Sequence, residues 1–292
     1  MRKKICIVTG ANAGIGKKAV EQIAGEDFHV IMACRNMARG EAALNNIKER
    51  NPSASVELMI VDMGVMGSVR NMAEQFSSKY DRLDVLIHNA AVFNVSQKKS
   101  EKTSEGIEAF WATNHLGPVL LTSLLLAKLK KSENGRIITI SSKGLLAKPF
   151  LKVDLDDPEF NNKSFNVVNA YYQSKIAQMM FTYWVAEKLK HTAITANCIR
   201  VTAVQIDVSR HPELSSFMKW VYKQKSKRSI TPEEMANTYT YLACDKGAGR
   251  VTGKIFDEHN LEVKPNKYIN DKGQIDLVMS LTRKYIPEIE GI

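Results

Sequence analysis

The stretch NAYYQSKIAQ, residues 169 to 178, sets two adjacent tyrosines shortly before a lysine in a run with helical periodicity. On a helix turning about 100° per residue, Tyr171 and Lys175 are four apart and Tyr172 and Lys175 three apart, so both phenols fall within reach of the ammonium. A phenol beside a cation is the pairing that proton transfer at a hydroxyl needs, because the positive charge favours phenolate. The spacing does not choose between the two tyrosines. It equally suits a helix that buries two rings and lays a lysine stem along them.

A second set of residues lies near the amino terminus, where KICIVTG ends an apolar run at glycine and TGANAGIG opens a helix pattern with Gly10, Gly14 and Gly16. Glycines let the backbone turn tightly and approach a pyrophosphate, while a helix N-terminus offers free N–H groups and the positive end of its dipole. A dinucleotide suits this arrangement, and its place after the first buried strand favours that ligand over an empty turn. The second strand ends in MACRN. NAD-binding chains carry an acid there for the adenine ribose 2′-hydroxyl. Here uncharged Cys34 removes the repulsion that a 2′-phosphate would meet, and Arg35 supplies a bidentate cation for it. NADP(H) is therefore expected over NAD(H), with Asn36 and Lys17 as helpers, the alternative being that Arg35 is a surface charge at a strand end.

The elements that must position these groups follow from the alternation of short apolar runs with helical patterns. KICIVTG, FHVIMACR, SVELMIVDM, LDVLIHNAA, GRIITISS, ITANCIRV and GRVTGKIFDE read as strands. Helices are expected from Gly16 to about Ala24, over ARGEAALNNIKER and GSVRNMAEQFSSKY, in a long region from 104 to 131, from 169 to 190, and over TPEEMANTYTYLAC, which starts with a capping threonine and a proline. Continuous apolar strands alternating with helices predict an α/β fold, a doubly wound parallel sheet with helices on both faces. Residues 143 to 168 read as a surface insertion, 207 to 230 as an amphipathic lid carrying Phe217, Met218, Trp220 and Tyr222, and 259 to 292 as a C-terminal extension of one domain spanning 1 to 292.

Composition removes other function classes. With 292 residues, 44% hydrophobic and 25% charged, the chain can bury one sizeable core. The net charge of +10 suits a phosphorylated cofactor or an acidic substrate, but the lysines are scattered and no nucleic-acid motif surrounds KQKSKR at 223 to 228. The longest apolar run, LGPVLLTSLLLAKL, carries a proline, hydroxyls and a lysine, and reads as a buried helix rather than a membrane span. Cys6, Cys34, Cys198 and Cys244 are widely spaced, the six histidines show no metal spacing, and no secretion signal is evident; a cytoplasmic chain without a metal is expected.

Read together, TGxxxGIG at 9 to 16, Asp62 after the third strand, HNAA at 88 to 91, TNHLG at 113 to 117, ISS at 140 to 142 and Tyr171xxxLys175 resemble the short-chain dehydrogenase/reductase family over residues 4 to 258. The phrases ACRN and NHLGPVLLTSLLLAKL and the long insertion before the tyrosine look most like its retinol-dehydrogenase and WW-domain-oxidoreductase branch. The resemblance implies a Rossmann-type sheet of about seven strands. It also implies that Tyr171 is the acid/base and Tyr172 its packing neighbour. Lys175 would tune Tyr171 and hold the nicotinamide ribose, Ser142 (with Ser141 as rival) would bond the substrate oxygen, and Asn114 would complete a proton relay. The cofactor residues implied are Gly10, Asn12, Ala13, Gly14, Ile15, Gly16, Arg35, Asn36, Asp62, Met63, Asn89, Ala90, Ala91, Tyr171, Lys175 and Val204.

Two departures from the family pattern stand out. Ala91 replaces a usual glycine, and after the sixth strand RVTAVQID has Val201 and Thr202 for the usual Pro-Gly pair and Ile206 near the usual threonine. The expected function is hydride transfer between NADP(H) and the carbonyl or alcohol of a fairly apolar small molecule; the alternative is a dinucleotide-binding sensor or scaffold that turns nothing over. By the same resemblance a homodimer or homotetramer would form on the long helices of the fourth and fifth βα units, with the insertion beside that surface.

Overall fold

The computed structural model describes residues 3–93, 97–205, 226 and 229–292. Its strands are β1 (Lys4–Thr9), β2 (Phe28–Cys34), β3 (Val56–Ile60), β4 (Val85–His88), β5 (Arg136–Ser142), β6 (Thr195–Val201) and β7 (Lys254–Phe256). They form one parallel sheet in the order β3-β2-β1-β4-β5-β6-β7. The chain therefore runs outward from β1 to β3 and returns to place β4 on the other side of β1. At that reversal the loops leaving β1 and β4 diverge and open a crevice above the carboxyl ends of the strands.

The helices are α1 (Gly14–Ala24), α2 (Met37–Arg50), α3 (Met66–Lys79), α4 (Ala109–Leu129), α5 (Val167–Lys188), α6 (Pro232–Cys244) and α7 (Lys272–Tyr285). Strand side chains alternate between two apolar layers. Ile5 and Ile7 of β1 enter a layer with α3, α4, α5 and α7, whereas Cys6 and Val8 enter one with α1, α2 and α6. Burial on both faces is why these strands read as unbroken apolar runs, each large side chain contributing about 2 kcal/mol. α6 lies against α1, with Gln22 donating to Glu233 O at 3.1 Å and Asn237 Oδ1 at 3.0 Å and accepting from Thr240 at 2.8 Å.

Three elements differ from the sequence expectation. α4 begins at Ala109 rather than near 104, because Glu108 caps it by accepting from Phe110 N and Trp111 N; the residues before it close a tight turn through Thr103, Gly106 and Ile107. The C-terminal extension, read without elements of its own, contains α7, which packs on α5 and bonds α4 through Thr282 and His115 at 2.7 Å. β7 is only three residues long, and the chain after it folds back so that Glu262 bridges Phe256. The lid expected at 207 to 230 lies outside the described residues apart from Ser226, Ser229 and Ile230.

The insertion is ordered by acids and amides that collect backbone groups. Asp157 accepts from Asn161 N and Asn162 N, Gln173 of α5 spans Pro158 O and Asp154 N, and Glu159 accepts from Glu108 N and from the Tyr285 hydroxyl. α4 is long and apolar enough to cross a membrane by length and composition, yet 83% of its apolar window is buried in the fold. Its Gly117 packs directly under the loop after β3, where an added Cβ would lie 2.1 Å from the Met63 carbonyl oxygen. Alanine at a helical position normally gains up to about 1 kcal/mol over glycine. The contact with a main-chain atom outweighs that gain, so Gly117→Ala is expected to lower the unfolding free energy by about 2–3 kcal/mol in a urea titration; an unchanged midpoint would show that the helix shifts freely here.

Candidate active site

The glycine loop leaves β1 in a conformation that L side chains disfavour. Gly10 has φ +66° and Gly14 φ +55°, both in the left-handed region. A Cβ on Gly10 would sit 2.8 Å from Ala90 Cα, and one on Gly16 2.4 Å from the Asn89 amide nitrogen, while open space lies in front of Gly14. The Asn89 amide itself donates to Thr9 O at 2.9 Å and Gly10 O at 3.2 Å and accepts from the Tyr239 hydroxyl at 3.1 Å. Ala13 precedes α1 without a side-chain cap, which leaves the first N–H groups of the helix available to an anion.

Above the reversal point a cleft of about 300 Å³ collects Gly10, Asn12, Ala13, Arg35, Asp62, Met63, Asn89, Ala90 and Ala91, together with Ala33, Val61, Val92 and Thr113. Nine of the residues assigned to the cofactor thus line one crevice. Arg35 is exposed at its rim, with no ion pair among the described residues. Asp62 closes the next turn by accepting from Gly64 N at 2.9 Å. Asn36 caps α2 by accepting from Arg39 N, and Lys17 turns to Asn46 at 2.6 Å, so the side chains of both helpers are engaged in the fold. Lys17 does line a neighbouring depression with Arg39. Arg39 escaped the sequence reading, although a basic residue in the first turn after the MACRN strand was its signal. Gly14, Ile15, Gly16 and Val204 stand outside the cleft lining. Val204 bridges Ile230 instead, and Gln205 N donates to Ile230 O at 2.9 Å.

Beyond the cleft, β5 delivers Ser142 and α5 delivers both tyrosines. α5 has neither glycine nor proline over its length and is capped by Asn166, which accepts from Asn169 N at 3.0 Å. The Ser142 hydroxyl accepts from Gly144 N at 3.2 Å and lies close enough to the hydroxyls of both Tyr171 and Tyr172 to favour their charged forms. The two tyrosines differ in surroundings. The Tyr171 ring is packed by Phe93 at 4.3 Å and Phe110 at 6.5 Å between centroids, with Lys175 Nζ 5.9 Å away, whereas the Tyr172 hydroxyl rests against Gly144. Ser141 points to the other face of β5, its hydroxyl buried without a hydrogen-bond partner among the described residues.

The expectation that Lys175 tunes Tyr171 meets a different balance here. Burial pushes the Tyr171 phenol upward, reinforced by Tyr172 and opposed by Ser142. The Lys175 ammonium is 1% exposed and donates to Ile140 O at 2.8 Å and Gln178 Oε1 at 3.1 Å; burial brings it down to about 8. Asn114 sits in a π turn of α4 over Ala112–Leu116. Its side chain accepts from Val92 N at 2.8 Å and donates to Ser174 Oγ at 3.0 Å, so among the described residues its amide reaches the loop after β4 rather than Lys175. Thr202 lies beside Glu258, which pairs with Lys143 at 2.6 Å; Ile206 lies outside the described residues. Phe93 and Glu258 were not legible beforehand because each reaches the site from a separate element, whereas Gln178, three residues after Lys175 on α5, had that helical spacing as its signal.

A family model described as short chain dehydrogenase matches residues 4–151, and one described as Enoyl-(Acyl carrier protein) reductase matches residues 160–257. Retinol dehydrogenase 13 of Homo sapiens is 34% identical, covering 87% of this chain and 76% of that protein. Retinol dehydrogenase 11 of Homo sapiens is also 34% identical, with 87% and 77% covered. A crystal structure of a protein from Mycobacterium paratuberculosis shares the fold with a TM-score of 0.71, 23% identity and coverage of 98% of this chain and 94% of that one. A short chain dehydrogenase from Shigella flexneri, solved in complex with NADP, does so with a TM-score of 0.66, 22% identity and coverage of 89% and 98%.

The buried ammonium gives stability a pH dependence with a definite sign. Lys175 in the fold releases its proton near pH 8, below the ordinary lysine value of about 10.4, so between these limits the unfolded chain binds more protons and stability rises with pH. The expected contribution is up to about 1.4 kcal/mol per pH unit in that window, missing from Lys175→Met. Urea titrations of both proteins from neutral to alkaline pH check it, and parallel profiles would contradict it.

Proposed function

Because the chain belongs to the short-chain dehydrogenase/reductase family, in its retinol-dehydrogenase-like branch, we propose that it is an NADP(H)-dependent oxidoreductase that interconverts the carbonyl and alcohol of an apolar small molecule, with Tyr171 as acid/base. The observation that carries this reading is the convergence of Ser142, Tyr171 and Lys175 beyond a crevice lined by the glycine loop. The residues fit a dinucleotide: positive φ at Gly10 and Gly14 and the uncapped start of α1 suit a pyrophosphate, Arg35 suits a 2′-phosphate, and Asp62 suits the adenine amine. Asn89, Ala90 and Ala91 would line the adenine ribose, and Lys175 would hold the nicotinamide ribose hydroxyls. The NADP bound by the Shigella protein and the names of the curated relatives support the same cofactor and an apolar alcohol or aldehyde.

When bound, the cofactor supplies or accepts a hydride at the carbonyl or carbinol carbon. The protein's own part is the proton. In reduction the Tyr171 phenol gives its proton to the substrate oxygen as negative charge grows there, and Ser142 donates a hydrogen bond to the same oxygen. The upward pull of burial on Tyr171 keeps it protonated and so poised for that direction. In oxidation the proton returns to the phenolate, which a Lys175 ammonium turned away from Ile140 O would stabilise. The cysteines, three buried and one half-buried, are all free, which supports placement in a reducing cytoplasm. A second reading, a dinucleotide-binding sensor without turnover, is favoured by one feature: backbone groups at 203 and 205, beside the missing Pro-Gly pair, are taken by Ile230.

Titration with NADPH and NADH, followed by energy transfer from tryptophan, separates the cofactors. NADPH is expected to bind at least about tenfold more tightly, and Arg35→Ser to weaken NADPH by about 10- to 100-fold while leaving NADH unchanged. Equal affinities in the native protein would remove Arg35 as the phosphate reader, and no binding of either would end the enzyme reading. For turnover of a carbonyl substrate, Tyr171→Phe is expected to cut kcat about a thousandfold with NADPH affinity kept within about twofold. Retained turnover, or its transfer to Tyr172→Phe, would reassign the proton donor.

A further inference from the structure

Beside Ser142 lies a small pocket of about 90 Å³ with a mostly apolar lining that includes Leu145, Pro149, Met179 and Ile269. Arg200 and Lys264 are the cations of this lining, Lys264 exposed to solvent and Arg200 half-buried, so the charge withdrawn from water is that of Arg200. Arg200 is the Cα partner of Ser141 across β5 and β6, so its side chain leaves the sheet on the face covered by α5, one strand spacing from the end of β5. Its Nε is buried without a hydrogen-bond partner, and the guanidinium has no ion pair among the described residues. The carboxylates near the pocket are engaged elsewhere: Glu258 with Lys143 at 2.6 Å and Glu262 with Lys254 at 2.8 Å.

A guanidinium N–H turned into an apolar wall loses solvation and regains it only from an acceptor. A planar carboxylate matches the guanidinium fork, and the aliphatic lining suits a hydrocarbon chain behind it. We propose that this pocket binds the carboxylate of an oxo or hydroxy acid with an apolar body, Arg200 forming the ion pair while Ser142 receives the reacting oxygen at the edge of the same pocket. The assignment of the reacting oxygen rests on the reading given under Proposed function; the ion pair does not. Arg200 acts on binding and discrimination, not on the proton or the hydride.

Heptanoate and heptanol, identical in chain and different in charge, test the ion pair by calorimetric titration of the full chain. Heptanoate is expected to bind at least about tenfold more tightly, Arg200→Met to bring the ratio to about one, and Arg200→Lys to retain part of it. A ratio near one in the native protein, or one that survives Arg200→Met, overturns the proposal. If Arg200→Met does not fold, the native ratio and Arg200→Lys still decide. The readout needs no turnover: acid selectivity without carbonyl reduction would sink the oxidoreductase reading alone, and carbonyl reduction without acid selectivity would sink this one alone.

Discussion

One buried amide holds the two halves of the sheet in the relation that makes a crevice. Where the chain reverses between β1 and β4, the loops above the strands must separate enough to admit a ligand and still be fixed against each other. Asn89 does this from the end of β4, giving both amide hydrogens to the carbonyls of Thr9 and Gly10 and taking the Tyr239 hydroxyl on its oxygen. Its position requires Gly16, since any larger residue there would displace the amide. The main-chain N–H of Ala90, bonded to the Thr9 hydroxyl at 2.9 Å, completes the joint. The shape of the glycine loop is thus set from β4 as much as by the glycines themselves.

The opposite end of the site depends on a charge kept in the core. Lys175 is almost fully buried and is met by neutral oxygens, the Ile140 carbonyl and the Gln178 amide. Neutral partners recover only part of the hydration lost, which is why its proton is held loosely. The same burial has the reverse effect on Tyr171, whose charged form is the anion. One apolar environment therefore brings the titration of an ammonium down and that of a phenol up, and a ligand carrying polar groups into the site alters both together.

The strand pattern, the glycine turn and the Tyr-Lys helix were legible in the sequence because each is a local periodicity or a short fixed spacing. The choice between Ser141 and Ser142 as the serine beside the tyrosines was legible only through the resemblance, since it turns on which face of β5 each side chain leaves. Phe93 and Glu258 were not legible, as their place at the site depends on how separate elements pack, while Arg39 and Gln178 each had a local signal, a first-turn position after MACRN and a helical spacing from Lys175, that went unread. The start of α4 was misread because Glu108, an ordinary helix former, acts here as a cap. The extension after β7 offered only one amphipathic run, whose meaning depended on the surface of α5 that it covers.

The packing of α6 on α1 ties the beginning of the chain to a point more than two hundred residues later, through Gln22 and the Met235, Ala236 and Tyr239 side chains. On a ribosome adding about 5–20 residues per second, the glycine helix waits on the order of ten seconds or more for its cover. During synthesis the cofactor end of the molecule is thus the first part made and among the last to close, and throughout that interval the nascent chain presents a bare apolar helix face to whatever holds unfinished proteins apart.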